Sequence, residues 1–232
     1  MPPDLEKLLD TALSEGRAWL LEPEAKQACR LMNIATARFK VAHSLDEALT
    51  AAEEIGYPVV LKVVSPDILH KSDVGGVVLD VKGPEALKAS YNALLSRVKE
   101  AKPEAKIVGV LVEEMLRPSL EVAFGLVRDP QFGPAVMFGL GGIYVELYRD
   151  VTFRIAPISV EEAQEMIREV KVYRLLTGYR GMPKLDIEAL VDIALKLSKL
   201  GVEHSKVRQV DLNPVMVYEK GAIVADARMQ VG

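Results

Sequence analysis

Lys62 interrupts an otherwise apolar run from Pro58 to Val64. A run apolar at nearly every position reads as a strand buried on both faces. A lysine inside it is costly unless an anion meets its ammonium group. The polar loop that follows carries His70 and closes on Gly75-Gly76, before a second strand from Val77 to Val81. Paired glycines let the backbone come close to a ligand and turn N–H groups toward it. A buried cation, a histidine and a two-glycine turn in one hairpin point to phosphate chemistry. A surface hairpin whose lysine snorkels its ammonium into water would use the same residues.

A second constellation lies near the C-terminus. Asp211 and Asn213 are two residues apart, which places them on one face of a strand, and Asp226 falls on the return strand. If the turn is the pair Glu219-Lys220, Asn213 stands directly opposite Asp226, with Cβ atoms about 5 Å apart. Two oxygen donors side by side on a rigid sheet suit Mg²⁺, which takes one or two protein oxygens and fills its shell with phosphate and water. A bulge at Gly221 would shift the register by one and separate them. The alternative is that Asp211 and Asn213-Pro214 only shape a strand end and Asp226 starts a loop.

Other candidates are weaker. Glu113-Glu114 ends an apolar strand and could receive the exocyclic amine of an adenine; two solvated carboxylates at a loop start would look the same. Glu121, at the start of the next strand, is within reach of a ribose hydroxyl. Gly139-Leu140-Gly141-Gly142 lacks the third glycine of a dinucleotide fingerprint and opens no helix, so it reads as a tight turn. The P-loop pattern is absent from the sequence. Cys29 reads as a small core residue, and His43 and His204 as surface residues.

The elements that must position these groups mix without regular alternation. Helices are expected over Asp4 to Leu21 with a break near Gly16, over Glu24 to Met32, from the capping box Ser44-Leu45-Asp46-Glu47 to Ile55, from Pro84 onward, over Glu161 to Val170, and from Asp186 to Gly201. Strands are expected over Thr36 to Val41, Ile107 to Glu114, Leu120 to Arg128, Ala135 to Phe138, Ile143 to Leu147, Phe153 to Ala156, and in a last hairpin of Val207 to Val217 with Ala222 to Ala227. Frequent hairpins among helices make this an α+β chain rather than a doubly wound sheet. Its 232 residues, half of them hydrophobic, support one large or two small cores, and a formal charge of −4 offers nothing to nucleic acid or an anionic membrane. A single cysteine excludes a disulfide within the chain and fits a reducing cytosol. No run is long enough to cross a bilayer, and the N-terminus lacks an apolar signal core.

Together these segments resemble the ATP-grasp proteins, and within them the beta subunits of ADP-forming acetyl-CoA synthetases of archaea. The resemblance is carried by Tyr57 to Val77 with its His70 loop, Val112 to Met115, Arg128 to Gly142, Asp211 to Val215 and Val224 to Asp226, which span most of the chain. It implies an ATP-grasp fold of two α/β lobes with the nucleotide between them. Residues 22–112 would form the small lobe with Lys62 and the His70 loop; residues 1–21 and 113–232 would form the large lobe with the metal site. Lys62 would hold ATP phosphates, with Gly75 and Gly76 close by. Glu113 and the backbone through Met115 would hold adenine, and Glu121 the ribose. Asn213 and Asp226 would bind Mg²⁺.

In such ligases a partner alpha subunit, which carries the CoA-binding and ligase domains, makes an acyl phosphate and passes the phosphoryl group to its own histidine. His70, on a mobile loop, would take it on and deliver it to ADP, with Asp211 orienting the imidazole. This chain shows nothing like the partner's domains, so the resemblance implies dependence on an alpha subunit, in a heterotetramer with two copies of each. Two other readings stay open on the sequence: an ATP-grasp carboxylate–amine ligase, and a non-catalytic nucleotide-sensing subunit.

Overall fold

The structure is a computed structural model that describes residues 4–142 and 150–232. The short strand expected over Ile143 to Leu147 falls outside the described residues. The chain divides into two compact units, one made of Leu21–Pro23 and Ala37–Arg117, the other of Met1–Leu20, Glu24–Thr36 and Pro118–Gly232.

The smaller unit contains β1 (Phe39–Ala42), α3 (Leu45–Ile55), β2 (Val59–Val64), β3 (Val77–Val81), α4 (Pro84–Ala101) and β4 (Gly109–Glu114). Its four strands pair antiparallel in the order β1-β4-β2-β3. The Ser44 hydroxyl caps α3 by accepting the Glu47 N–H at 3.2 Å. The Glu47 carboxylate reaches back past the cap, to the His43 N–H at 2.7 Å, so the expected reciprocal box is displaced by one residue. Pro84 enters α4 in its first turn, where its missing N–H costs nothing.

One face of this sheet packs on the two helices. Val59, Leu61 and Val63 of β2 and Val110 and Val112 of β4 share a core with Ala48, Ala52, Leu87 and Leu94. Strand alternation then turns Val60, Lys62, Leu111 and Glu113 to the other face. All six residues of β2 are buried, as the apolar run demands.

The larger unit is built on β5 (Leu120–Asp129), β6 (Gly133–Leu140), β7 (Val151–Ile155), β8 (Val207–Val217), β9 (Ala222–Val224) and β10 (Ala227–Val231). Among the described residues these form an antiparallel sheet in the order β10-β8-β5-β6-β7, with β9 also paired to β8. α1 (Leu5–Ser14), α2 (Glu22–Leu31), α5 (Val160–Glu169), α6 (Tyr173–Leu176) and α7 (Ile187–Glu203) complete it. Only the first two residues of α2 are counted with the smaller unit. A core of Phe124, Phe138, Met166, Ile167, Leu197, Val210 and Leu212 lies under one face of the sheet.

The boundaries differ from the expected lobes at three places, the first by the single residue Leu21, which falls with the smaller unit. Residues 24–36 fall with the larger unit because Ala25, Ala28, Cys29 and Ile34 are part of that unit's core. Residues 113–117 fall with the smaller unit because β4 keeps pairing with β2 as far as Val59 opposite Glu114.

Cys29 is fully buried on α2, and burial pushes its thiol up to about 12. The unfolded chain loses this proton near pH 9 and the folded chain keeps it. Folding stability should therefore fall between pH 9 and 12, by at most about 1.4 kcal/mol per pH unit. Denaturant titrations should show that slope in the wild type and a smaller one in Cys29→Ala. The native thiol should also resist a thiol-exchange reagent at pH 8 and react once the chain is unfolded.

Candidate functional site

The side chain of Lys62 lies in a buried ion-pair cluster on the face of the smaller sheet turned away from α3 and α4. Its Nζ donates to Glu22 Oε1 at 2.7 Å and lies 3.3 Å from Glu113 Oε2. Register explains the second contact. Leu111 is directly opposite Lys62 and Glu113 opposite Val60, so Glu113 is the diagonal neighbour on the same face, within reach of long side chains. The other oxygen of Glu22 is 2.9 Å from Lys71 Nζ. Glu22, Lys62, Lys71 and Glu113 are all less than a tenth exposed. Two ammonium groups face two carboxylates, and that balance makes their burial tolerable.

Lys71 connects this cluster to the loop that carries His70. The loop is tied down on both sides of the histidine. Ile68 is buried in the core of the smaller unit, and the Asp67 carboxylate accepts the Lys106 N–H at 2.7 Å. After His70, the Lys71 carbonyl accepts the Gly76 N–H at 2.8 Å. Between these anchors His70 is exposed.

Gly75 and Gly76 act differently from the sequence expectation. Their N–H groups are committed inside the loop, to Ser72 O at 3.1 Å and Lys71 O at 2.8 Å, and not held out to a ligand. Gly75 has φ of +64°, and a Cβ on Gly76 would sit 2.6 Å from Val63 Cγ1. The pair is needed for a left-handed turn and for close packing on β2.

The expected adenine slot lies at the end of β4. Glu113 faces Lys62, and its neighbour Glu114 faces the opposite way and accepts from Arg38 Nε at 2.6 Å. The Met115 N–H is taken by Pro58 O at 3.2 Å. Nonlocal register of β4 against β1 and β2 sets these partners, and nothing in the local sequence reveals it.

In the larger unit the last hairpin has the register that a two-residue turn requires. Tyr218 N–H bonds to Gly221 O at 3.0 Å, Val217 pairs with Ala222, and Leu212 pairs with Ala227. Asn213 N–H bonds to Asp226 O at 3.2 Å, so the two residues are opposite one another and Gly221 adds no bulge. Asp186 secures the turn from outside: it caps α7 through the Ala189 N–H and also accepts the Gly221 N–H at 2.7 Å. Leu212 and Ala227 enter the core, so Asp211, Asn213 and Asp226 belong to the sheet's other face. Asp211 is opposite Gly125 on one side and Arg228 on the other.

The turn at Gly139 to Gly142, which had no role on sequence grounds, is part of this site. The Gly142 N–H donates to Asn213 Oδ1 at 2.7 Å, and the Gly141 N–H donates to Glu121 O at 3.0 Å. A Cβ on Gly142, whose φ is +64°, would lie 2.3 Å from Glu121 Oε2. Glu121, Gly142, Asn213 and Asp226 thus form one connected patch.

The donor set fits a Mg²⁺ that brings its own phosphate and water ligands. Asn213 Oδ1 has a second lone pair beyond the one facing Gly142. The Asp226 carboxylate accepts the Ala227 N–H at 3.1 Å through one oxygen, and its other oxygen is 3.8 Å from Arg228 Nη2. No group of three or more His, Cys, Asp or Glu able to hold a metal occurs among the described residues, so a cage made wholly of protein is not what this patch offers.

Gly142→Ala should separate site from scaffold. A non-glycine residue at positive φ costs about 1–2 kcal/mol, and here the Cβ also displaces Glu121 and the amide that orients Asn213. Gly221 has φ of +81° and open space around its Cβ position, so Gly221→Ala carries the strain alone. Denaturant unfolding should show comparable losses for both variants. Titration with Mg²⁺ and nucleotide should show weakened binding in Gly142→Ala only.

Comparison with known proteins bears on the whole chain. The family model described as an ATP-grasp domain matches residues 11–231. The beta subunit of acetate–CoA ligase (ADP-forming) I of Pyrococcus furiosus is 48% identical over 223 residues, 96% of each chain. The chain belongs to the ATP-grasp family, among the beta subunits of ADP-forming acetate–CoA ligases. Acetate–CoA ligase (ADP-forming) I of Archaeoglobus fulgidus is 50% identical over 98% of this chain, which corresponds to 32% of that longer protein. The dinucleotide-forming acetyl-coenzyme A synthetase 1 of Candidatus Korarchaeum cryptofilum, solved with coenzyme A, Ca-AMPCP and HgCl⁺, superposes with a TM-score of 0.95 at 48% identity, over 97% of this chain and 98% of that one. The same synthetase with coenzyme A and Mg-AMPPCP, its phosphohistidine segment pointing towards the nucleotide-binding site, gives a TM-score of 0.88 at 44% identity over 99% and 100%. The α+β architecture read from the sequence is that of this family. No helix among the described residues is long and apolar enough to cross a membrane.

Proposed function

We propose that this subunit moves a phosphoryl group between a phosphohistidine on a partner subunit and ADP, with His70 as the carrier, and so couples acyl-CoA cleavage to ATP synthesis. The observation that carries the reading is the setting of His70: an exposed imidazole whose chain neighbour, Lys71, is anchored in the same buried cluster as Lys62. The phosphohistidine segment of the Korarchaeum synthetase, seen pointing towards its nucleotide site, supports it.

The exchange balances at each step. An imidazole nitrogen of His70 attacks phosphorus as the P–N bond to the partner's histidine breaks, and the partner's imidazole is released. A terminal oxygen of ADP then attacks the same phosphorus, the bond to His70 breaks, and ATP leaves with a free imidazole behind. The phosphoramidate keeps a high transfer potential, so the route runs both ways. Lys62 of the smaller unit meets the nucleotide phosphates, Glu113 and the chain through Met115 receive the base, and Glu121 the ribose. Asn213 and Asp226 of the larger unit hold Mg²⁺, which spreads charge on the transferring group. Asp211 orients the His70 ring. In these terms the smaller unit is the small ATP-grasp lobe and the larger one the lobe with the metal site.

The partner is an alpha subunit carrying the CoA-binding and ligase domains, in an α₂β₂ assembly in the cytoplasm. This chain matches 32% of the Archaeoglobus ligase, which leaves room on that polypeptide for further domains. The test is phosphopeptide mapping after incubation with Mg-ATP. One phosphate, labile in acid and stable in base, should map to His70. A phosphate mapped to any other residue, or none at all, would remove the carrier role.

A further inference from the structure

We propose that Glu22 and Lys71 form the latch that seats the His70 segment on its own unit, with Lys71 a positioning residue for phosphoryl transfer; this rests on the carrier role of His70 proposed above. A single carboxylate holds two ammonium groups: Lys62 on one oxygen at 2.7 Å and Lys71 on the other at 2.9 Å. The side chains of Lys71 and Glu22 are 10% and 2% exposed. A lysine is rarely placed so deep in a surface loop, because its ammonium loses water unless a carboxylate replaces it. Here the carboxylate comes from a residue 49 positions earlier in the chain, so the contact fastens the segment rather than shaping it locally.

Further restraints lie at the ends of the segment. Asp67 is fixed through Lys106, and Gly76 through β2, where its carbonyl accepts the Val63 N–H at 2.8 Å. Between them, Ile68 and Lys71 are the buried side chains; Leu69, His70, Ser72 and Asp73 are exposed. Releasing Lys71 therefore removes a buried polar contact one residue from the imidazole. The latch also shares its carboxylate with Lys62, the residue assigned to nucleotide phosphate. Anionic phosphate at Lys62 repels the Glu22 carboxylate and competes for both ammonium groups. Arrival of nucleotide thereby changes the hold on the segment that must receive or deliver the phosphoryl group.

The test uses the assembled two-subunit enzyme with Glu22→Gln, Lys71→Met and Lys71→Arg. His70 is labelled from one side with γ-labelled Mg-ATP and from the other with acetyl-CoA and labelled inorganic phosphate. In Glu22→Gln and Lys71→Met, labelling from ATP should fall by about tenfold or more relative to labelling from the partner side, and Lys71→Arg should restore the ratio. Hydrogen exchange of amides 68–75 should accelerate by about tenfold in the first two variants, with β2 and β4 unchanged. Equal losses from both sides would mean a merely structural role, and unchanged exchange over 68–75 would mean no latch; either overturns the proposal. If wild-type His70 takes no label from either side, the carrier role fails, and the exchange measurement still decides the latch.

Discussion

His70→Ala is expected to abolish acyl-CoA-dependent ATP synthesis by the assembled enzyme while leaving the subunit as stable as the wild type. Removing the group that forms a covalent intermediate costs about 10⁴-fold or more, because no second route crosses the same barrier. The stability cost should stay within about 0.5 kcal/mol, since the side chain is exposed and the fold does not rest on it. The chain's other two histidines serve as controls. A ring nitrogen of His43 is 3.0 Å from Val108 O, and His204 Nδ1 contacts Glu6. Both rings are thus engaged in joining parts of the scaffold. His43→Asn and His204→Asn should keep phosphate labelling from Mg-ATP. If His70→Ala retains turnover above about a hundredth of wild type, phosphorus travels by another path. If it loses turnover together with several kcal/mol of stability, the loop has a structural role that its exposure hides.

The parts of the site legible in the sequence are those whose geometry is local. The last hairpin is the clearest case. A two-residue turn forces Asn213 opposite Asp226, and the observed register obeys it from Tyr218 down to Leu212. The apolar run around Lys62 correctly implied a buried cation with anionic partners. Helix starts at Asp4, Ser44 and Asp186 follow from side chains that accept an N–H three residues on.

What the sequence hid was set at long range. Glu22 falls between the expected helices over Asp4 to Leu21 and Glu24 to Met32, and its contacts emerge only when residues 40 and 49 positions away are brought to it. Lys71 stood beside His70 in the most informative stretch, yet a lysine in a polar loop defaults to solvent. Glu113 reads locally as part of an adenine slot at a strand end; that it also faces Lys62 follows only from diagonal pairing across β2 and β4. Gly142 carried no fingerprint because its function is one N–H aimed at Asn213, which any residue could supply if the backbone and Glu121 left room. The lobe boundary moved because the apolar face of α2 joins the larger core, a choice that amphipathicity alone does not make.

Lys62→Met should cost both stability and nucleotide affinity, and the two effects should come apart. In the wild type the buried cluster is balanced, with Lys62 and Lys71 against Glu22 and Glu113. Removing this ammonium takes away a cation that lies 2.7 Å from Glu22 and 3.3 Å from Glu113, which is 2% exposed. Breaking a buried ion pair by removing one partner typically costs about 3–5 kcal/mol, seen as a shift in the denaturant midpoint at constant slope. Changing Glu113→Gln in the same chain restores the balance of charge with little change of shape, so most of that loss should return. Nucleotide affinity should not return with it. A charge-assisted hydrogen bond to phosphate contributes about 1.5–3 kcal/mol, so Kd for Mg-ATP should stay raised by about 10- to 150-fold in the double variant. The wild-type lysine must also leave Glu113 or Glu22 in part to meet phosphate. Binding should therefore weaken only moderately with added salt, because the exchange swaps one buried anion for another. A double variant that regains both stability and affinity would show that Lys62 serves the fold alone, and that the phosphates are held by some other cation.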